Sequence, residues 1–289
     1  MVFDRHLRVR DVSAGSFRGK VVVDSTMDHF LLSHGNPDNL LVENSGLLKS
    51  SESTCSALVQ IPAASTAGDL EPLFVKEFRF KGIVHSMKPL FRQNRAQVMW
   101  RVSWHLLNHS IPVAEPEGYL IKQRGPFCLK GYFFAKVLPQ CSTLDGFAAD
   151  LNQLTTRLDS GGLREVLAQS IANMHNSGVS HGDLKWSNIL VHDEKNELWF
   201  VDLDSAELHR QSPSTKAIAR DLARFLLSAQ EAGIEEAVLE RFLNEYTHHR
   251  KLSRAKIDGP IDRILRKLQH RHQKKYGDER SRSGGKTTS

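Results

Sequence analysis

Hydrophobic positions in the first half of the chain fall in short runs between polar turns, a pattern that favours β-strands. The segment 73–78 (LFVKEF) is rich in aromatic and β-branched residues, as strands are. At residues 93–109 apolar residues recur three and four positions apart and predict an amphipathic helix. We therefore expect residues 1–138 to form a strand-rich lobe with one inserted helix. Its predicted strands lie at 18–32, 40–61, 73–78, 118–123 and 131–138.

After Pro139 the hydrophobic period becomes that of α-helices. Residues 139–250 are expected to form a helical lobe, so that the chain is an α+β protein of two lobes. Residues 251–289 are expected to form a basic amphipathic helix and a disordered tail that begins at Arg280. The predicted helices lie at 144–158, 162–177, 216–229, 235–247 and from Pro260 onward, and a hairpin is predicted from strands at 189–191 and 198–201.

Positive charge is concentrated at the C-terminal end. The net formal charge is +6, but residues 248–289 alone carry 13 Lys and Arg against four Asp and Glu, so the rest of the chain is slightly acidic. A basic segment of this kind favours an anionic partner, such as a nucleic acid, an anionic lipid or a phosphorylated substrate, unless it serves only solubility. In the helix predicted from Pro260, the apolar positions are Ile261, Ile264, Leu265 and Leu268, and the opposite face is basic.

The composition excludes several classes of protein. With 40% hydrophobic and 25% charged residues, the chain is neither collagen-like, nor disordered, nor a small disulfide scaffold. No apolar run approaches the roughly 18 to 20 residues of a membrane-spanning helix, and the N-terminus lacks the apolar core of a secretion signal. Cys55, Cys128 and Cys141 have no metal-ligand spacing, so we expect reduced thiols in a cytoplasmic protein.

The chemically informative residues follow the predicted helix at 162–177. His181, Asp183 and Asn188 form an H-x-D-x-x-x-x-N pattern, and Asp202 follows the predicted hairpin. Phosphoryl transfer from a nucleotide needs a carboxylate for the proton of the attacking hydroxyl, and an amide oxygen and a second carboxylate for the Mg²⁺ on the phosphates. Asp183, Asn188 and Asp202 supply these groups, and such oxygen ligands suit Mg²⁺. The arrangement is typical of protein-kinase-like enzymes.

Such a fold also requires a cation from the first lobe. Lys76 is the best candidate, because a Lys among the apolar residues of a strand is unexpected unless its ammonium has a partner; Lys81 and Lys88 are weaker candidates. The usual partner is a Glu on the inserted helix. That helix has no Glu, and Gln97, which falls near the expected position, cannot form an ion pair. We therefore expect Lys76 to pair with Asp202 or with the nucleotide alone.

The loop that covers the phosphates also departs from the kinase pattern. No G-x-G-x-x-G occurs near the N-terminus. The serine-rich stretch 51–54 between two predicted strands offers backbone N–H groups and hydroxyls instead, and a plain surface turn is an equally good interpretation. Ser51 and Ser53 are the candidate ATP-binding residues of this stretch.

At HGDLKWSNIL and FVDLDSAEL the chain resembles the bacterial lipopolysaccharide kinase family, whose members phosphorylate heptose or Kdo sugars of the lipopolysaccharide core. The stretches LFVKEF, RAQVMWRVSWHLL with SIPVAEP, and RDLARFLLS resemble the family too, so the resemblance covers roughly residues 40–245. It implies a two-lobed protein-kinase-like fold with a strand-rich N-lobe and a helical C-lobe, and the use of ATP and Mg²⁺. The HGD sequence also matches small-molecule kinases in general.

The resemblance implies a role for each candidate residue. Asp183 is the base, Lys185 is a catalytic cation beside the γ-phosphate, and Lys76 binds the phosphates. Asn188 and Asp202 hold the metal. Residues 1–138 are then the nucleotide-binding lobe and 139–250 the catalytic lobe. The ATP-binding residues are completed by Ser51, Ser53, Val137 and Leu138.

The resemblance also implies a partner and a location. The acceptor is a glycolipid, the lipopolysaccharide core, at the cytoplasmic face of the inner membrane. We expect the basic segment 251–289 to hold the protein peripherally on that anionic surface. Nucleic acid is not an expected partner, because the tail has one aromatic residue, Tyr276, for stacking on bases.

Two other functions stay open. A small reduced protein kinase is disfavoured, because residues 204–216 are too short for a long activation loop and contain no A-P-E-like segment. A nucleotide-binding pseudokinase or scaffold would fit the missing helix Glu and the missing Gly-rich loop. The complete set of Asp183, Asn188 and Asp202 favours an enzyme.

Overall fold

The chain folds as two compact units. One comprises Met1–Gln140 together with Phe200–Ala206, and the other comprises Cys141–Trp199 together with Glu207–Ser289. The segment after the predicted hairpin therefore belongs to the strand-rich unit, and the C-terminal segment is part of the helical unit. The computed structural model describes residues 8–34, 36–43, 45–62, 69–79, 94–124, 127–160 and 162–283.

The first unit is built on an antiparallel sheet with the strand order β1-β2-β6-β7-β5-β4-β3. Its strands are β1 (Val9–Ala14), β2 (Phe17–Val22), β3 (Ser45–Ser50), β4 (Thr54–Pro62), β5 (Leu70–Arg79), β6 (Pro116–Arg124) and β7 (Phe127–Lys136). Its helices are α1 (Thr26–His34), α2 (Leu40–Glu43) and α3 (Arg95–Asn108). The predicted strand at 73–78 lies within β5, and the predicted inserted helix is α3.

The strand predictions near the N-terminus are only partly right. Residues after 25 form the helix α1, and Leu40–Glu43 forms the short helix α2. The strand β2 ends at Val22, and Asp24, with φ 64°, turns the chain out of the extended conformation. The helix begins where it does because the Ser25 hydroxyl accepts a hydrogen bond from the backbone N–H of Asp28 (3.1 Å), which caps the first turn. The apolar side of α1 is buried through Met27, Phe30 and Leu31.

Strand alternation places Lys76 on the side of the sheet that packs against α3. Val75 and its neighbours of the same parity belong to the core that includes residues of α1. Lys76 and Phe78 therefore face the opposite side, where α3 contacts β5, β6 and β7. The large buried residues of α3 are Trp100 and Trp104, whose rings meet edge to face with centroids 5.6 Å apart.

The second unit is mainly helical. Its helices are α4 (Leu151–Asp159), α5 (Leu163–Asn176), α6 (Thr215–Glu231), α7 (Glu236–Arg250) and α8 (Asp258–Ser283). Short strands β8 (Cys141–Thr143), β10 (Ile189–His192) and β11 (Leu198–Phe200) pair in the order β11-β10-β8, and β9 (Val179–Ser180) pairs with β12 (Glu207–Leu208). The predicted hairpin at 189–201 is thus present.

Two predictions about helix boundaries in this unit are wrong. The helix predicted from residue 144 begins only at Leu151, because Asp150 caps it by accepting a hydrogen bond from the backbone N–H of Gln153 (3.0 Å). The predicted disordered tail is still helical over residues 280–283, because the Gly–Gly pair that disfavours a helix comes only at 284–285 in the sequence. The rest of that tail, residues 284–289, lies outside the described residues.

Candidate active site

The ammonium group of Lys76 has two carboxylate partners. Its Nζ donates hydrogen bonds to the carboxylate of Asp202 and to Oδ2 of Asp204 (2.9 Å). The Lys76 side chain is only 9% exposed, and a buried ammonium group requires such partners. The expected pairing of Lys76 with Asp202 is present, and the second partner, Asp204, is one that the sequence analysis missed.

Asp204 is the more buried of the two carboxylates. Its side chain is 6% exposed, whereas that of Asp202 is 35% exposed. Asp204 also accepts a hydrogen bond from the guanidinium of Arg95, at the start of α3. Burial alone would raise the pKa of the Asp204 carboxyl, but the charges of Lys76 and Arg95 outweigh it and hold that pKa below its ordinary value.

The backbone after β11 brings both carboxylates to the same lysine. Asp202 has φ 61° and ψ 48°, the left-handed region that a non-glycine residue seldom adopts, and residues Leu203–Ser205 form a single 3₁₀ turn. The N–H of Phe200 donates to the carbonyl oxygen of Pro112 (3.0 Å), which anchors this segment in the first unit. Backbone strain of this kind occurs at functional sites.

In the second unit, Asp183 lies between two cations. One of its carboxylate oxygens, Oδ1, accepts a hydrogen bond from Nη1 of Arg224, and the other, Oδ2, lies 3.5 Å from Nζ of Lys185. Asn188 donates from Nδ2 to the backbone carbonyl of Asp183 (2.8 Å). Because that nitrogen is occupied as a donor, the amide oxygen of Asn188 is the atom that could bind a cation.

A buried carboxylate, Asp221 of α6, supports the loop that carries Asp183. Its Oδ2 accepts the backbone N–H of His181 (2.7 Å), and its Oδ1 accepts the backbone N–H of Gly182 (2.8 Å). Gly182 has φ +80°, a conformation that favours glycine. His175 Nε2 lies 3.2 Å from the Asp221 carboxylate, and its other ring nitrogen, Nδ1, lies 2.8 Å from the hydroxyl of Tyr246.

The Asp221 network shifts two pKa values in opposite directions. Burial alone would raise the pKa of the Asp221 carboxyl, but the hydrogen bond and charge of His175, together with His181, lower that pKa below its ordinary value. Burial raises the pKa of the Tyr246 phenol, so this hydroxyl stays protonated. Asp221 is therefore a carboxylate that orders the backbone next to Asp183.

The remaining predicted ATP-binding residues all lie in the first unit. Ser51 and Ser53 form the exposed turn between β3 and β4, where the Ser51 N–H donates to the carbonyl of Thr54 (2.8 Å). Val137 and Leu138 follow β7 directly and are half-buried. Their role at a nucleotide stays a prediction.

Gln97 takes no part in the Lys76 cluster. Its side-chain oxygen accepts the backbone N–H of Asn94 (3.3 Å), while Asn94 Oδ1 accepts the N–H of Ala96 (2.8 Å), so the two residues form a capping box at the start of α3. Gln97 therefore does not replace the helix Glu. The weaker lysine candidates at 81 and 88 lie outside the described residues.

The oxygen ligands that Mg²⁺ prefers are present on the predicted residues. The Asp202 carboxylate and the Asn188 amide oxygen are hard donors, and Mg²⁺ takes few protein ligands because it keeps waters and substrate phosphates. Among the described residues no group of three or more His, Cys, Asp and Glu is arranged around a metal position. Within the first unit the structure brings Lys76 and Asp202 together, and within the second it brings Asp183, Lys185 and Asn188 together.

Four side chains that hold these groups were not predicted from the sequence. The signal for Asp221 was available, because an acidic residue interrupts the apolar face of α6 within the RDLARFLLS stretch. The roles of the others depend on which distant residues meet, and no local pattern encodes that. The four missed residues are Arg95, Asp204, Asp221 and Arg224.

Comparison with known proteins gives a family match. A model of the lipopolysaccharide kinase (Kdo/WaaP) family matches residues 69–246, which is more than half of the chain. A 3-deoxy-D-manno-octulosonic acid kinase of Vibrio parahaemolyticus serotype O3:K6 (strain RIMD 2210633) is 46% identical over 43 residues. That alignment spans 15% of this chain and only 18% of the Vibrio protein.

Solved structures give the fold. The structure titled WaaP in complex with acyl carrier protein matches with a TM-score of 0.62 at 20% identity, covering 83% of this chain and 96% of that one. The ROP18 kinase domain, solved with AMP-PNP and sucrose, matches with a TM-score of 0.45 at 14% identity, covering 78% of this chain and 82% of that one. The WaaP match confirms the predicted α+β kinase-like fold.

Proposed function

This chain belongs to the lipopolysaccharide kinase (Kdo/WaaP) family, as its sequence predicted, and we propose that it is an ATP- and Mg²⁺-dependent kinase that phosphorylates a sugar hydroxyl of the lipopolysaccharide core. The observation that carries the proposal is that the matched segment, 69–246, contains Lys76, Asp183, Asn188 and Asp202. These are the residue types that phosphoryl transfer requires.

The roles we propose follow from the chemistry of each side chain. Bound ATP would supply the γ-phosphoryl group, and Mg²⁺ bound with it would partly neutralise the charge of the phosphates. Asn188 and Asp202 would hold the metal through oxygen atoms, and Lys76 would bind the phosphates. Asp183 would take the proton of the sugar hydroxyl, and Lys185 would stabilise the transferred charge.

Arg224 has a supporting part in this proposal. It binds one oxygen of the Asp183 carboxylate, Oδ1, and so fixes the orientation of that carboxylate. We assign the other oxygen, Oδ2, to the acceptor hydroxyl; it lies 3.5 Å from Nζ of Lys185 and 3.4 Å from Nδ2 of Asn188. A base held in one orientation loses less entropy when the acceptor binds.

We propose Kdo or heptose as the acceptor sugar. The local identity to the Vibrio protein, which is named a Kdo kinase, favours Kdo as the acceptor to test first. The likeness to WaaP shows the fold alone and does not decide between the sugars.

We also propose that the protein works at the cytoplasmic face of the inner membrane, where such an acceptor would be met. No helix in the described part of the chain is long and apolar enough to cross a bilayer. We propose peripheral attachment through the exposed basic residues of α8. Exposed Lys and Arg residues of a helix contribute to binding at an anionic surface, roughly 1 kcal/mol each.

The test is a phosphotransfer assay with the purified full chain, radiolabelled ATP and Mg²⁺. Its acceptors are a Kdo-bearing lipid A precursor, a heptose-bearing core acceptor and a generic protein. We expect transfer to a glycolipid and a loss on the order of 10²- to 10⁴-fold in Asp183→Asn, because the variant retains the shape of the side chain but not the base. The exposed Asp262 of α8 gives a matched control, Asp262→Asn, with unchanged transfer.

Each other result points to a different function. Transfer to the generic protein alone would favour a reduced protein kinase. Nucleotide binding without transfer to any acceptor would favour a pseudokinase or scaffold. Undiminished transfer by Asp183→Asn would refute the proposed base.

A further inference from the structure

The phosphate-binding lysine of a kinase needs an anionic partner that fixes its side chain, and a protein kinase supplies it as a Glu on a helix. Here α3 contains no acidic residue at all. It begins instead with a cation, Arg95, whose guanidinium lies over the ring of Phe78 with the carbon Cζ 4.8 Å from the ring centroid. The charge that this helix offers is therefore opposite in sign to the usual one.

Asp204 places a negative charge between Lys76 and Arg95. Lys76 and Arg95 both donate hydrogen bonds to its carboxylate. Lys76 also lies over the Phe78 ring, 5.3 Å from its centroid, so the two cations share one aromatic ring and one carboxylate. The 3₁₀ turn that carries Asp204 packs against α3, which joins the helix and the turn in one contact.

Burial distinguishes the two carboxylates that contact Lys76. Asp202 is 35% exposed and Asp204 is 6% exposed, so Asp202 is the one a cation from solvent can reach. If Asp202 binds a metal, Lys76 keeps Asp204 as its partner. Two cations then face a single carboxylate, and the surplus positive charge is available to a phosphate.

We propose that Asp204 is the positioning residue that takes the part of the helix Glu, and that Arg95 couples α3 to Lys76 through Asp204. This inference rests on the proposed function for its phosphate-binding role, whereas the cluster of Lys76, Asp204 and Arg95 is defined without nucleotide. The inverted arrangement explains how the chain can dispense with an acidic residue on α3.

The first measurement uses no nucleotide. Asp204→Asn, Arg95→Met and the double variant are compared with the wild-type protein by thermal unfolding, where Met keeps the apolar part of the Arg side chain over Phe78. We expect the two substitutions to be coupled, with the double variant less destabilised than the sum of the single variants. Strictly additive losses of stability would overturn the cluster.

The control is the exposed pair Lys136 and Glu115, whose Nζ and Oε2 lie 2.7 Å apart. The same two single variants and double variant at this pair should show little coupling.

The second measurement is the affinity of the folded variants for Mg²⁺–ATP by calorimetry. Asp204→Asn should weaken binding by about 10- to 100-fold, as expected for loss of a hydrogen bond between charged groups. Arg95→Met should weaken it less, and the double variant should match Asp204→Asn, because Arg95 acts through Asp204. Unchanged affinity in a folded Asp204→Asn protein would overturn the proposal, since a merely structural Asp204 would affect stability alone.

A third variant tests the alternative position for the acidic residue. Gln97→Glu added to Asp204→Asn should not restore nucleotide affinity, because residue 97 belongs to the capping box. Recovery would overturn the proposal in favour of the usual helix position. A wild-type protein that binds no nucleotide would refute the proposed function and the phosphate-binding role, while the coupling measured by thermal unfolding would still decide whether the cluster exists.

Discussion

Asp221 is fully buried and receives backbone N–H groups from His181 and Gly182 as well as a ring nitrogen of His175. Its pKa in the folded protein is below the ordinary value. A carboxyl with a depressed pKa contributes stability above the pKa of the unfolded chain, about 4, and that contribution is lost as the pH falls through the folded pKa. Asp221 is therefore expected to act as an acid-sensitive support.

We predict that Asp221→Asn lowers the free energy of unfolding by about 3 kcal/mol near neutral pH, because it leaves buried partners without the charge they bind. The difference between variant and wild type should begin to shrink below about pH 4, where this carboxyl takes up a proton in the unfolded chain, and should go on shrinking until the pH falls below its lowered pKa in the folded protein. Urea unfolding of both proteins across this range measures it. A difference that stays constant with pH would contradict the prediction. The control variant Asp262→Asn should show no difference in stability anywhere in this pH range.

Single residues were predictable from the sequence when their type was unusual for their place. Lys76 is a charge in an apolar strand, and Asp183, Asn188 and Asp202 have the spacing of a known chemistry. Asp204 could not be singled out in this way, because an acidic residue in a turn is ordinary. Its role depends on its contact with Lys76, which is 128 positions away in sequence.

At the scale of the element, α3 depends on its first turn. Asn94 caps the helix and its Nδ2 also contacts Sγ of Cys128 (2.9 Å). Gly131 of β7 leaves the room for this cap, since a Cβ there would lie 2.7 Å from Oδ1 of Asn94. Arg95 is the next residue, so the cap fixes the start of the helix and therefore the backbone position from which the Arg95 side chain extends.

We predict that Asn94→Ala lowers the free energy of unfolding by about 1 to 2 kcal/mol, the usual cost of losing an N-cap. Thermal unfolding measures the loss, and Asn94→Asp, which keeps the oxygen acceptor, should recover most of it. If Asn94→Ala were as stable as the wild type, the capping box would not be what holds this turn.

Elements were predictable where a long apolar period coincided with a stop signal. The helix at 93–109 was found to within two residues at its start, and the N-x-x-Q capping signature at 94–97 would have fixed that start. The helix α1 was missed because it is short and follows a run of valines, and its cap depends on a single serine.

At the scale of the whole molecule, α8 is a helix with two different surfaces. Its apolar side packs against α6, where Ile261 is buried and Gln269 Nε2 donates to Gln230 Oε1 (3.0 Å). The amphipathic pattern was predicted, but the pattern alone does not show which surface covers the apolar side. Ile261 is buried and Ile264, Leu265 and Leu268 are half-buried, so little of this side is left for insertion among lipid tails. The exposed basic residues on its other side are Arg263, Arg266, Lys267, Arg271 and Lys274.

If the proposed attachment to a membrane runs through α8, we expect it to be mainly electrostatic. The protein should sediment with vesicles of anionic lipid at about 0.05 M salt, much less at about 0.5 M, and not with neutral vesicles. Arg263→Glu, Arg266→Glu and Arg271→Glu together should reduce binding far more than tenfold, at roughly 1 kcal/mol for each charge lost. A matched triple reversal elsewhere in the unit, at the exposed Lys195, Arg210 and Lys216, should have the smaller effect. Binding that is insensitive to salt would show that contacts between charges do not hold the protein on the vesicle. Binding that is insensitive to the α8 reversals would place the attachment on another surface.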